Sequence, residues 1–314
     1  MKQVLVTGAT GFLGKYVVRQ LAETGIPVVA TDLRIGADAE RHDNVTYVQC
    51  DVRDLRRVLR MCAEHNVDRV IHLASLLAPA SQADPYTCTE VNVLGTQNIF
   101  EAAVQLGFSS VTWASSQAVF GHVVGNADSA LTEHTPHHPD NAYGWAKSYC
   151  EGISLQYRSR YGINIVGLRI AMLYGAGKER GEGKFTEHLF DRPAKGMDSV
   201  VPFGDDTFSW QYVGDVAAAF IQVAQRDSTA EAIYNIPGRR ATISEVADVV
   251  RTHAPGVTIE LEPGVLGFPY NFSDDAYLRL VDGDYEMTSL SDGIEITLKS
   301  IARESQPATE GALT

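Results

Sequence analysis

Tyr143 and Lys147 stand four residues apart in a stretch with helical periodicity, so both side chains project from one face of a helix. A phenol titrates near ~10 and is a poor base at neutral pH, but a neighbouring ammonium favours the phenolate electrostatically. A tyrosine placed this way can take a proton from a hydroxyl. Ser115 and Ser116 follow an apolar run from Val111 to Ala114, and Ser116 can hydrogen-bond the oxygen that reacts. Standing alone, a YxxxK pair reads as an exposed helix face and a serine pair as a turn cap. The start of the chain changes that reading.

There, Thr7-Gly8-Ala9-Thr10-Gly11-Phe12-Leu13-Gly14 spaces Gly8, Gly11 and Gly14 three apart, directly after an apolar strand and at the opening of a helical pattern. Residues without a Cβ let backbone N–H groups and the helix N-terminus approach a pyrophosphate. Asp32 ends the second strand about 20 residues downstream, where a carboxylate bonds both hydroxyls of an adenosine ribose and repels a 2′-phosphate. NAD is therefore expected over NADP, with Arg34 the residue that keeps NADP open. Asp51 and Val52 close the third strand, where an adenine amino group would arrive. The same pair is compatible with a helix N-cap, which Asp54 supplies equally well.

The elements that must hold these residues follow from the hydrophobic pattern. Strands are expected over Gln3 to Thr7, Val28 to Thr31, Val45 to Cys50, Val70 to Leu73, Val111 to Ala114 and Ile163 to Leu168. Between them, helices are expected from Phe12 to about Gly25, Leu55 to His65 and Val91 to Leu106. Such alternation calls for parallel strands with crossover helices on both faces. The expected fold class is α/β: a Rossmann-type doubly wound parallel sheet with a smaller C-terminal substrate-binding lobe. Residues 1–168 would form the dinucleotide-binding domain, with a segment near 205–240 returning to it, and 169–303 mainly the substrate lobe. Gly175 to Lys184 reads as a mobile loop and 304–314 as a disordered tail.

Composition narrows the partners. The 314 residues are 45% hydrophobic and 21% charged, and no apolar run approaches the ~20 residues that span a bilayer. With 39 acidic against 26 basic residues the net charge is −13, which repels phosphate backbones and anionic membranes, so neither nucleic acid nor membrane is an expected partner. Cys50, Cys62, Cys88 and Cys150 show no CxxC spacing, as expected of a reduced, cytoplasmic protein. No metal site is expected. His134, His137 and His138 lie in a proline-flanked polar loop that reads as solvated, His72 reads as a packed core histidine, and Cys150 as a small buried hydrophobe.

Taken in order and separation, these segments resemble the extended short-chain dehydrogenase/reductase family, the NAD-dependent epimerase/dehydratase superfamily. The resemblance rests on Thr7 to Gly14, Asp32, Asp51-Val52, His72-Leu73-Ala74-Ser75, Asn92 with Gly95-Thr96-Gln97-Asn98, Ser115 to Gly121, and Tyr143-Gly144-Trp145-Ala146-Lys147. It continues through Leu168-Arg169, Tyr174-Gly175, Tyr212 to Val216 and Thr288 to Ile294, nearly the whole chain. The resemblance implies a catalytic triad of Ser116, Tyr143 and Lys147. It also implies a cofactor bound by Gly8, Gly11, Phe12, Leu13, Gly14, Asp32, Asp51, Val52, Leu73, Ala74, Ser75, Asn92, Tyr143 and Ile170, with Lys147 on the nicotinamide ribose. A homodimer is implied too, through helices corresponding to Val91–Leu106 and Tyr143–Tyr161, with Phe100, Tyr149 and Tyr157 as apolar support.

The departures from the family pattern bear on the substrate. Members that handle nucleotide sugars usually carry Tyr-Phe-Asn after the Leu-Arg strand, where this chain has Ile170-Ala171-Met172. Those members also place an arginine where Phe208 stands, ahead of Ser209 and Trp210. Phosphates are held by charge-assisted bonds, so losing an amide and a cation argues against a nucleotide-diphosphate sugar. Lys178, Arg180 and Lys184 are the loop cations able to substitute. Dehydratases usually carry Asp-Glu where this chain has Gln117-Ala118, which disfavours dehydration. Leu73 to Ala78 and Gln117 to Gly121 look closest to the branch with L-threonine and sugar-acid dehydrogenases. Ser75, Ser116, Gln117, Tyr143, Met172 and Trp210 are the expected substrate contacts, with Arg169 a weaker candidate.

The leading expectation is an NAD-dependent dehydrogenase or reductase acting on a small secondary alcohol or ketone. The alternatives are an epimerase that retains its NAD and, less favoured because the triad is complete, a non-catalytic dinucleotide sensor.

Overall fold

The computed structural model describes residues 2–37, 39–122, 129–178 and 185–305. Its first half alternates β1 (Gln3–Thr7), α1 (Phe12–Glu23), β2 (Val28–Asp32), β3 (Val45–Gln49), α2 (Leu55–Glu64) and β4 (Val67–His72). Two short helices, α3 (Ala80–Ala83) and α4 (Pro85–Cys88), lead through a π-turn at Thr89–Leu94 into α5 (Gly95–Leu106). Then come β5 (Ser110–Ser116), a 3₁₀ turn (Gln117–Phe120), α6 (Ala142–Tyr161), β6 (Asn164–Ile170) and β7 (Met172–Tyr174). The rest comprises a π-turn (Glu187–Asp191), α7 (Arg192–Ala194), β8 (Ser199–Val201), β9 (Thr207–Tyr212), α8 (Val213–Ala224) and β10 (Ile233–Asn235). It closes with β11 (Arg239–Thr242), α9 (Ile243–His253), β12 (Ile259–Leu261), α10 (Asp275–Leu280) and α11 (Leu290–Glu304).

Seven strands form one parallel sheet in the order β10-β6-β5-β4-β1-β2-β3, a doubly wound Rossmann-type fold as the sequence pattern requires. Strand order reverses between β1 and β4, and the carboxyl ends of those neighbours open the crevice where ligands bind in such sheets. Apolar β1, β4 and β5 are buried on both faces. One face packs on α1 and α8 through Val17, Leu21, Val216 and Phe220, the other on α2, α5 and α6 through Val58, Phe100 and Tyr157.

A second core gathers Tyr174, Phe185, Phe190, Phe208 and Trp210 against α9 and α11, around a small sheet of β11, β9 and β7. The segment near 205–240 divides between the two cores. Strand β9 joins the small sheet, whereas α8 packs on α1 and β10 extends the main sheet beside β6. No helix among the described residues is long and apolar enough to cross a membrane. All four cysteines are buried and unpaired.

Two expectations need correction here. The helix over Val91 to Leu106 is not uniform: it opens as the π-turn, where the Asn92 carbonyl accepts from Thr96 Oγ1 at 2.7 Å and Cys150 Sγ at 3.2 Å. Phe100 and Tyr157 are core residues, 0% and 8% exposed, because Phe100 packs edge-on with Trp113 and its ring meets that of Tyr157 at a tilt. The expected tail, 304–314, lies outside the described residues beyond Ser305, as does the loop 179–184, with Arg180 and Lys184.

Candidate active site

The turn after β1 is built to approach something closely. Gly8 has φ +67°, and a Cβ there would stand 2.7 Å from the Ala74 amide nitrogen. A Cβ on Gly14 would lie 2.0 Å from the Gly8 carbonyl oxygen, so that glycine sets how tightly α1 sits on the turn. Gly11 caps α1 without any side-chain hydrogen bond, which leaves the helix N-terminus to an anion. Asp32 is held beside it: Thr10 donates to Oδ2 from its amide (3.1 Å) and its hydroxyl (2.8 Å), and the Leu33 amide donates to Oδ1 at 2.7 Å.

The far side of the crevice is fixed by Thr7. Its hydroxyl oxygen accepts from the Leu73 and Ala74 amides, both at 3.2 Å, and it gives its own proton to His72 Nδ1 at 2.7 Å. Because Thr96 Oγ1 spends its proton on the Asn92 carbonyl, it accepts from His72 Nε2–H at 3.1 Å, which assigns the tautomer. Burial, and then the Lys147 charge, push the His72 pKa down to about 3, so His72 is the neutral core histidine its strand position suggested. Asn92 is fully buried and spends its amide on the Leu76 backbone and Ser75 Oγ, so it braces the segment that carries Ser75. Just beyond β3, Asp51 holds Arg53 in a two-pronged ion pair that also reaches Glu90. Val52 packs against Gly95, where a Cβ would come within 2.8 Å of it.

The three triad candidates stand on two neighbouring elements, β5 and α6. Ser116 ends β5, opposite Ile170 of β6 in register, and caps the 3₁₀ turn by accepting from the Ala118 amide at 3.1 Å. That bond leaves its hydroxyl proton to donate. Asn141 caps α6 by accepting from the Gly144 amide, placing Tyr143 and Lys147 in the first two turns. The Lys147 ammonium donates to the Ala114 carbonyl at 2.8 Å and stands 5.4 Å from the Tyr143 ring centroid. Burial pulls its pKa down to about 8. A buried ammonium over a phenol is the arrangement that favours tyrosinate.

Ser115 faces the other way, into an ionic cluster that the sequence reading missed. Glu151 accepts from Ser115 Oγ at 2.5 Å and from Arg169 Nε and Nη2 at 2.9 and 2.7 Å. Burial pushes the Glu151 carboxyl up, but the bonds from Arg169, His137 and Ser115 more than offset this and hold it at about 2. Arg169 also reaches the Thr132 carbonyl and Asn235 Oδ1 and stacks on Phe120. Its role is therefore internal. His137, expected in a solvated loop, instead joins this cluster, with Nε2 2.9 Å from Arg169 Nη2 and 3.1 Å from Glu151 Oε2, and Nδ1 2.8 Å from Ser148 Oγ. Glu151 was findable as a carboxylate one helical turn past Lys147, on the same face.

The expected substrate contacts separate. Gln117 is buried beside Ser116, its Oε1 without a hydrogen-bond partner among the described residues, and Ser75 is partly exposed. Trp210 is 1% exposed, inside the aromatic core, with its indole N–H donating to the Ala241 carbonyl, so no substrate reaches it in this arrangement. Met172 is buried beside the Lys178 ammonium, which donates to the Leu173 carbonyl at 2.7 Å. Phe208 stacks on Phe185. Among the described residues no cluster of three or more His, Cys, Asp or Glu could hold a metal ion.

Residues 4–237 match the model of the NAD dependent epimerase/dehydratase family. A putative UDP-glucose 4-epimerase of Methanocaldococcus jannaschii is 29% identical over 79% of this chain and 81% of its own length. The solved structure of a Thermus thermophilus UDP-glucose 4-epimerase in complex with NAD is 27% identical with a TM-score of 0.82, covering 97% of this chain and all of that one. L-threonine dehydrogenase from Phytophthora infestans shares the fold at a TM-score of 0.85 and 23% identity, over 96% of this chain and all of that one.

Proposed function

The chain belongs to the NAD-dependent epimerase/dehydratase family and uses NAD, and from that premise we propose an oxidoreductase that moves hydride between a secondary alcohol or ketone of a small, non-nucleotide substrate and nicotinamide. The observation that carries this reading is the Lys147 ammonium, buried against the Ala114 carbonyl and 5.4 Å from the Tyr143 ring, at the strand end where Ser116 stands.

The crevice fits the dinucleotide. The Cβ-free turn at Gly8, the uncapped N-terminus at Gly11, Phe12 and Leu13, and the close seat of Gly14 suit a pyrophosphate. Asp32 suits the adenosine ribose and Asp51 with Val52 the adenine, while Leu73, Ala74, Ser75 and Ile170 line the path to the nicotinamide. Bound there, NAD would supply the hydride acceptor for the substrate carbon, and its reduced form the donor for the reverse direction. Tyr143 removes the hydroxyl proton, the Lys147 charge makes its phenol acidic enough to do so, and Ser116 donates to the substrate oxygen and fixes its position. Ser75 and Gln117 contact the remainder of the substrate. Met172 and Phe208 occupy with apolar groups the places where a diphosphate would need an amide and a cation, which supports a substrate without a nucleotide.

The second reading is an epimerase that keeps NAD and restores it within each turnover, favoured by the 27% and 29% identity to UDP-glucose 4-epimerases. Gel filtration separates the two: a dehydrogenase emerges with exchangeable NAD, an epimerase with NAD released only on denaturation. Within either reading, Asp32→Ala is expected to shift the NADP-to-NAD affinity ratio upward by about tenfold, the value of one charge-assisted bond lost and one repulsion removed. Equilibrium binding of both cofactors checks it, and an unchanged ratio would remove Asp32 from the ribose.

A homodimer through α5 and α6 fits the surface. Trp145 and Tyr149 are 61% and 49% exposed at i, i+4 on the outer face of α6, and Leu94 just before α5 is also exposed. Tyr149→Glu is expected to convert the dimer to monomer in sedimentation velocity, while a wild type that sediments as a monomer would contradict the pairing.

A further inference from the structure

The ionic cluster beneath the catalytic helix is not used by the chemistry derived above. Glu151 and Arg169 are each 3% exposed. A buried ion pair is seldom worth more to stability than well-packed apolar residues of the same volume, so stability alone does not account for it. Its position does. Glu151 lies one turn beyond Lys147 on the buried face of α6, and its carboxylate is clamped from β5 by Ser115 and from β6 by Arg169, residues that face each other in register. Those two bonds fix where the charge stands relative to Lys147.

The elements packed around Lys147 bring it few charges. From β4 it faces His72, held neutral; from β5 the Ala114 carbonyl and the Trp113 ring; from its own helix the Tyr143 ring. Three groups strengthen its hold on a proton: Cys150, Cys88 of α4, and Glu151. Both thiols are neutral near pH 7, because burial pushes Cys150 up to about 11 and raises Cys88. Glu151 is therefore the permanent anion of the set.

We propose that Glu151 is a positioning residue for Lys147: clamped by Ser115 and Arg169, its carboxylate supplies the buried negative charge against which the catalytic ammonium keeps its proton. This rests on the assignment of Lys147 to the triad. Loss of Glu151 thus removes charge from Lys147 at a pH where the wild type still holds it, and activity falls on the alkaline side first.

The test is a pH titration of lysine side chains by NMR in the full-length, NAD-saturated protein. The chain has seven lysines, and Lys147→Arg identifies the signal. Glu151→Gln is expected to move the Lys147 midpoint to lower pH by roughly one pH unit, as removal of a nearby opposite charge does. Should that variant fail to fold with Arg169 left unpaired, Glu151→Met/Arg169→Met replaces the whole pair by apolar side chains; the carboxylate one turn from Lys147 acts on it more strongly than the guanidinium behind it, so the midpoint is expected to move the same way, by less because the cation goes with the anion. A Lys147 midpoint unmoved in either folded variant overturns the proposal. The readout needs no turnover, so it answers separately from Tyr143→Phe, whose retained activity would instead overturn the triad.

Discussion

Tyr143→Phe is expected to lower turnover by about 10²–10⁴-fold while NAD affinity stays within about twofold of wild type. The split follows from the geometry. The ring remains in place over Lys147, at 5.4 Å from its ammonium, so the variant keeps the packing of the helix face and loses the proton acceptor. Steady-state kinetics beside cofactor titration checks both halves. Turnover retained in the phenylalanine variant would move the base elsewhere, and a parallel loss of NAD affinity would show that the phenol serves binding.

The second large effect is on stability. Arg169→Met leaves Glu151 buried without its two strongest donors, an uncompensated charge that is expected to cost about 3–5 kcal/mol of folding free energy. The sign of the pH dependence follows from the depressed carboxyl. In the wild type, Glu151 titrates at about 2 in the folded chain against an ordinary value near ~4.3 unfolded, so its contribution is present above the unfolded value and is lost as pH falls through about 2. In the variant the unpaired carboxylate opposes folding at neutral pH, and protonation relieves it. The gap between the two proteins should therefore be widest near neutrality and narrow on acidification. Denaturant titrations across that range measure it, and a gap independent of pH would mean that Glu151 is not the group left exposed to the loss.

Much of this was legible in the chain. The Gly8 turn, Asp32 and the Tyr143–Lys147 spacing are local: each is set within one strand–turn–helix unit, where periodicity and residue type dictate geometry. Long-range packing was not. Trp210 read as a substrate-facing aromatic because one sequence does not say which aromatics pack on Tyr174, Phe185 and Phe190 from distant segments. Phe100 and Tyr157 read as surface for the same reason. Arg169 was visible only as a strand-end cation, since its partner Glu151 lies 18 residues away on another element and their meeting depends on the register of β5 with β6. The π-turn around Asn92 is tied to distant segments, with Leu76 N–H donating to the Asn92 side chain and Cys150 Sγ to its carbonyl, contacts that local helical periodicity does not carry.

The central claim, hydride transfer to exchangeable NAD from a small non-nucleotide alcohol, is tested most directly by counting NADH. Purified protein is mixed with excess NAD and, in turn, L-threonine, sugar acids, polyols, aryl alcohols and UDP-glucose, and NADH is followed by absorbance. The account predicts many NADH molecules per subunit with one non-nucleotide class and no more than one per subunit with UDP-glucose. Sustained NADH with none of them, together with interconversion of UDP-glucose by protein that never releases its NAD, would contradict it.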